Sequence, residues 1–149
     1  MGKYPSQKME KSWVWNGITP DIVEWTKSFG EYLCKKNERN PLTTGQLRKF
    51  FGEVKRIEAD AVKHKAEIPM LKPLLAYAVG RDKKKAGRDI VNKTKIQELE
   101  EEISKAVDAI RFDNDDVLKS DYKNFVQIFE SIVAYHKYFG VVENLFSKY

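Results

Sequence analysis

Cysteine is nearly absent from this chain of 149 residues, in which Cys34 stands alone. An intramolecular disulfide is therefore excluded, and a reducing compartment is the simpler expectation. Histidine is almost as scarce: only His64 and His136 are available for proton transfer, and no His/Cys/Asp/Glu set falls at zinc spacing. No glycine-rich loop follows a strand pattern, as a nucleotide cradle needs, and no Gly-x-Ser-x-Gly elbow is present. The run Asp113-Asn114-Asp115-Asp116 invites a calcium reading, but the glycine and glutamate of such a loop do not follow it. It reads instead as a turn and a charged helix start. No run of about 18 apolar residues suggests a membrane span, and the opening Met-Gly-Lys-Tyr-Pro-Ser-Gln-Lys lacks the apolar segment of a secretion signal. The expectation is a soluble cytoplasmic protein without membrane partner, metal, cofactor or catalytic residue.

What is abundant is charge. Lysine and arginine number 27 against 22 acids, for a formal +5 and a pI near 9.1, a balance that suits a polyanionic partner. The distribution is uneven. Arg81, Lys83, Lys84, Lys85, Arg88, Lys93 and Lys95 are opposed locally only by Asp82 and Asp89. The sign then reverses through Glu98, Glu100, Glu101, Glu102, Asp108, Asp113, Asp115 and Asp116, opposed by Lys105 and Arg111. One stretch is built to attract anions and the next to repel them.

Apolar periodicity supplies the fold. Thr43 is placed as a helix N-cap with Gln46 three residues on, a capping box, and Leu42 and Leu47 have the spacing of a hydrophobic staple. Leu47, Phe50, Phe51, Val54 and Ile57 then form one apolar face. Arg48, Lys49, Lys55, Arg56 and Lys63 gather on the other side with Gly52 in their midst. Earlier, Ile18-Thr19-Pro20 opens a helix running to about Lys36. Leu74 to Val79 is expected as a further helix after the rigid Ile68-Pro69-Met70-Leu71-Lys72-Pro73 link, and Asp82 to Asn92 as a solvated loop. Ile96, Leu99, Ile103, Val107 and Ile110 mark the fourth helix. The fifth begins near Ser120 or Asp121, carries Tyr122, Phe125, Val126, Phe129, Ile132, Val133 and His136 on one side, and is expected to end at Gly140. The reading is an all-α, single-domain bundle of about five helices over residues 18–140. A flexible arm, 1–17, precedes it and a tail, 141–149, follows. Trp13 and Trp15 in the arm dock on the bundle itself or meet a partner or a base.

A cationic helix face beside a lysine-rich loop is what a phosphate-backbone binder needs, since neutralised phosphates release counterions whatever the sequence. Solvated surface lysines balanced by Glu53 and Glu58 give the same pattern, and a helix-turn-helix over Leu42 to Ile57 is a third reading. Three segments narrow the choice. Leu42-Thr43-Thr44-Gly45-Gln46-Leu47-Arg48, Ala76-Tyr77-Ala78-Val79-Gly80-Arg81 and Ile132-Val133-Ala134-Tyr135-His136-Lys137-Tyr138-Phe139-Gly140 resemble, in order, the signatures of the small subunit of the type III-A CRISPR effector, the Csm complex. The resemblance covers roughly residues 20 to 140, and both the arm and the residues after Gly140 fall outside it.

The resemblance implies a small helical, non-catalytic subunit that lies along a filament of repeated backbone subunits and helps form the channel in which guide RNA pairs with target RNA. The partners it implies are both RNAs, held by their phosphates, other effector subunits and further copies of the chain. Arg48 and Arg81 are the signature positions matching phosphate contact; the charged helix face adds Lys49, Lys55 and Arg56. Two alternatives stand beside this: a helical subunit that meets only protein, and a helix-turn-helix DNA-binding protein.

Overall fold

In the computed structural model the described residues are 2–37 and 39–147, with side chains through residue 142. Among them the chain forms six α-helices and one two-stranded hairpin: α1 (Lys11–Asn16), α2 (Pro20–Cys34), α3 (Thr44–Glu58), α4 (Leu71–Arg81), β1 (Lys83–Ala86), β2 (Asp89–Asn92), α5 (Ile96–Ala109) and α6 (Asp115–Ser147). This is the expected mostly helical single domain, with α1 added to the five helices foreseen.

The cap chemistry sits where the sequence puts it. Thr19 Oγ1 accepts from the Ile22 N–H at 3.3 Å with Pro20 at the first helical position of α2. At the start of α3, Gln46 N–H donates to Thr43 Oγ1 and Thr43 N–H donates to Gln46 Oε1, both at 3.0 Å. Helix α6 is the spine. It packs along α2 and also touches α1, α3 and α5, while α4 lies against α5 and α3. Its buried face runs Leu118, Tyr122, Phe125, Val126, Ile128, Phe129, Ile132, and the Tyr122 hydroxyl, deep in that core, donates to the Val54 carbonyl at 2.7 Å. Met9, Trp13 and Val14 of the N-terminal arm join the core, with the Trp13 indole edge-on to Trp25.

Four boundaries differ from expectation. The segment 82–92 is a hairpin, not a loop. Helix α4 begins at Leu71, because Pro73 falls within the first turn, where its missing N–H removes no intrahelical bond. Helix α6 begins at Asp115: Asn114 Oδ1 accepts from the Val117 N–H at 2.9 Å and so caps the acidic run as a first turn. Nor does α6 stop at Gly140. That glycine keeps a negative φ, and the helix carries the expected tail through Ser147; residues 148–149 lie outside the described residues. An interior glycine costs a helix only about 1 kcal/mol.

The glycine that matters to packing is Gly30, where α2 crosses α6. A Cβ there would lie 2.8 Å from Tyr135 Cβ and 2.9 Å from the His136 backbone nitrogen. Gly52, by contrast, has nothing within 4 Å, so it serves no helix packing. His136 is buried at the same crossing, and its Nε2–H donates to the Leu42 carbonyl at 2.7 Å just before α3. Burial lowers its pKa below the ordinary histidine value.

Gly30→Ala is expected to destabilise the fold by about 1–3 kcal/mol through overpacking, and Gly52→Ala to stabilise it by about 0.5–1 kcal/mol; denaturant melts giving the same sign for both would contradict the packing described. For His136 the folded state favours the neutral ring, so below pH ~6.5 the unfolded chain binds more protons and stability falls as pH falls. Urea midpoints from pH 7 to 5 should therefore decline less steeply in His136→Gln than in the unaltered chain.

Candidate nucleic-acid interface

The cationic side of α3 consists of two stripes, because residues seven apart on a helix drift by only ~20°. Arg48 and Lys55 form one, Lys49 and Arg56 the other, with exposed Gly52 between them. Carboxylates divide these four. Lys55 Nζ is 2.5 Å from Glu58 and 3.4 Å from Glu130 of α6, and the bond to Glu58 raises its pKa above the usual lysine value. Arg56 meets Glu53 at 2.9 Å and Glu67, beyond the helix, at 2.6 Å. All four ion pairs lie at the surface and are worth little to stability, yet they leave Lys55 and Arg56 electrostatically compensated. Arg48 and Lys49 are exposed and make no ion pair among the described residues.

Arg81 is the third uncompensated cation. It ends α4, is exposed, and its guanidinium sits 5.7 Å from the Tyr77 ring centroid. Lys49 and Arg81 line one groove between α3 and α4; Arg48 lies on the adjacent stripe. The expected site residues thus separate into Lys49 with Arg81 in the groove, Arg48 exposed on the other stripe and outside the groove lining, and Lys55 and Arg56 drawn to carboxylates. Gln46 and Thr43, in completing the capping box, use two donors at the helix start.

After Arg81 the basic stretch is held up by the hairpin. Lys83 pairs with Asn92, Lys84 with Val91, Lys85 with Ile90 and Ala86 with Asp89. The turn residues are Gly87, at φ 64°, and Arg88, whose φ is not positive, as a type II′ turn requires. Lys83, Lys84, Lys85 and Arg88 are all exposed. At the hairpin's root, buried Asp82 accepts from the Thr94 N–H at 2.9 Å, Thr94 Oγ1 at 3.0 Å, and Asn92 Nδ2 and Gln46 Nε2 at 3.3 Å. One carboxylate ties the start of α3 to the end of α4 and to the strand leaving the hairpin.

Lys95 does not belong to this surface. It is fully buried, with Nζ donating to the Tyr32 carbonyl at 2.6 Å and lying 3.9 Å from that residue's ring centroid; burial lowers its pKa to about 8. The acidic stretch is likewise partly internal. Glu98 receives both Arg39 nitrogens, Nη1 at 2.7 Å, and the Tyr32 hydroxyl at 2.9 Å, and burial with that bond pushes the Tyr32 hydroxyl up to about 12. Glu102 accepts the Met9 N–H at 2.8 Å and the Tyr4 hydroxyl. Among the described residues no three His, Cys, Asp or Glu side chains lie together as metal ligands would.

Asp82→Ala is expected to cost about 1–3 kcal/mol, since it strands buried donors of Thr94 and Asn92. Amide exchange over residues 83–94 should accelerate more than over α6. Unchanged exchange in the hairpin would refute the anchoring role.

No curated protein and no solved structure matches this chain. A family described as Csm2 Type III-A matches residues 20–141, a span that begins with α2, ends within α6 and includes the groove, the hairpin and Asp82. With well over half of its length so matched, the chain belongs to the Csm2 type III-A family and is a subunit of the Csm effector.

Proposed function

We propose that this chain is a non-catalytic, cytoplasmic small subunit of the Csm ribonucleoprotein in antiviral defence, and that it holds the guide RNA and target RNA by their phosphates. The observation that carries this reading is a set of uncompensated cations: Arg48, Lys49 and Arg81 have no carboxylate partner among the described residues, Lys49 and Arg81 lining one groove, with a lysine-rich hairpin fixed at its root following Arg81. A phosphate arriving there displaces solvent and counterions, not an internal ion pair. Lys55 and Arg56 contribute less, because a phosphate must compete with Glu58, Glu130, Glu53 and Glu67. Backbone contact explains indifference to sequence, which base pairing between the two RNAs supplies. Exposed Gly52 lets a strand approach the helix closely.

Contacts with other effector subunits and with further copies of the chain fall on separate ground. Tyr138 and Val141, about 57% and 52% exposed, stand at the far end of α6 and offer apolar surface to protein. Avidity between adjacent copies raises a modest single-copy affinity for RNA.

Filter binding across a salt series tests the reading. Arg48→Glu, Lys49→Glu and Arg81→Glu are each expected to weaken binding alike for unrelated RNA sequences and to lower the slope of log affinity against log salt by about one. Lys55→Glu should change it less. Affinity at low salt that is indifferent to all three reversals would eliminate the proposal.

A further inference from the structure

The groove between α3 and α4 contains more than a phosphate contact requires. Its volume is about 510 Å³, within the ~300–1,000 Å³ typical of small-ligand clefts. Leu74, Tyr77, Ala78 and Arg81 recur along one side of α4, next to the buried Leu71, Leu75 and Val79 face; Leu74 and Ala78 pack on the edge of the core, while Tyr77 and Arg81 are exposed. With Phe50 and Lys49 of α3 they line the groove. Tyr77 is 64% exposed, and Arg81 lies over its ring. Two acids also line the groove, but Glu53 is bound by Arg56 and Asp82 by Thr94, Asn92 and Gln46. What remains free is an aromatic face, an apolar floor and two cations.

That combination fits a ligand with a flat π-face and an anionic end. An apolar protein segment seated there would cover Lys49 and Arg81 without neutralising them, which is unfavourable. A paired duplex offers phosphates but keeps its base faces stacked inside. We propose that the groove receives one unpaired nucleotide of a bound RNA, its base stacked on Tyr77 and its phosphate between Lys49 and Arg81. The inference rests on the RNA-binding reading above and adds a site for a single extrahelical base. Stacking is tolerant of base identity, because every base presents a π-face.

The test uses the full chain and two labelled RNA duplexes, one fully paired and one with a single bulged nucleotide, measured by fluorescence anisotropy, with 2-aminopurine in the bulge as a stacking probe. The bulged RNA should bind more tightly, whichever base is bulged, by a factor within the roughly 5- to 150-fold range of aromatic stacking, with 2-aminopurine quenched. Tyr77→Ala should abolish both the preference and the quenching without altering affinity for the paired duplex, and Tyr77→Phe should retain both. Equal affinity for the two RNAs, each still weakened by Arg48→Glu, overturns this inference and leaves phosphate binding intact. Binding to neither RNA at low salt overturns both. If Tyr77→Ala changes sedimentation of the chain while its RNA preference is unmoved, the groove is a protein contact and the inference fails.

Discussion

The interaction on which the cationic surface depends is the hydrogen-bonded carboxylate of Asp82. It follows the last residue of α4 and is buried, and each of its partners belongs to another segment: Gln46 to α3, Asn92 to β2, Thr94 to the approach to α5. A buried carboxylate in such a setting has to be saturated with donors, so these segments hold a fixed mutual position. Gln46 is shared between two tasks. Its oxygen closes the capping box on Thr43 and its nitrogen reaches Asp82, so the residue that starts α3 also registers it against α4. Lys49 sits one turn along from Gln46 and Arg81 immediately before Asp82; the groove between them is a direct result of that bond.

The parts of this arrangement that sequence shows are the local ones. Thr43 with Gln46 and Thr19 with Pro20 act over three residues, and their caps form as the spacing dictates. The apolar faces of α3, α5 and α6 are buried as their period requires. The hairpin escaped because neither strand has an apolar buried face: Lys83 to Ala86 are exposed throughout and β2 buries only the polar Asn92 at its end, so no alternation marks them. The signal present was the glycine in Ala86-Gly87-Arg88-Asp89 followed by β-branched Ile90-Val91. Gly140 misled for the opposite reason, since a helix-ending glycine acts through positive φ and this one retains helical geometry.

Charge was the least legible property, because a sequence gives the sign of a residue and not its company. Arg56 and Glu53, or Lys55 and Glu58, are three apart and foreseeable. Glu67 and Glu130 reach the same two cations from across the fold, and no spacing rule announces them. Lys95 counted as part of the anion-attracting stretch, yet it is spent inside the core on the Tyr32 carbonyl. Glu98 and Glu102, members of the acidic stretch, are enclosed by Arg39, Tyr32, Tyr4 and the Met9 amide. The apparent linear dipole is therefore weaker on the surface than along the chain.

The enclosure of Glu102 also explains why residues before the family match are integral to this chain. Residues 2–19 precede that match, but they cover a face that α2 and α5 build. Tyr4 stacks on Tyr32 and tilts over Phe29, Trp13 meets Trp25 at 5.1 Å between centroids, and the Trp25 indole N–H donates to the Gln7 carbonyl at 2.8 Å. Removing this cover would expose three aromatic rings to water and take from Glu102 its amide and phenol partners, leaving it solvent and Lys105; the penalty is chiefly that of apolar hydration. Trp13 is consequently occupied by the fold. Trp15, with its indole N–H on the Ala109 carbonyl and the Arg111 guanidinium 5.5 Å from its ring centroid, is the one tryptophan that stays exposed, at 41%. Both ends of the arm's helix thus serve the α2–α5–α6 side of the bundle, away from α3, α4 and the hairpin. The packing of the arm and the exposed cations of α3 and α4 lie on different parts of the surface, so those cations can stay unpaired without weakening the core.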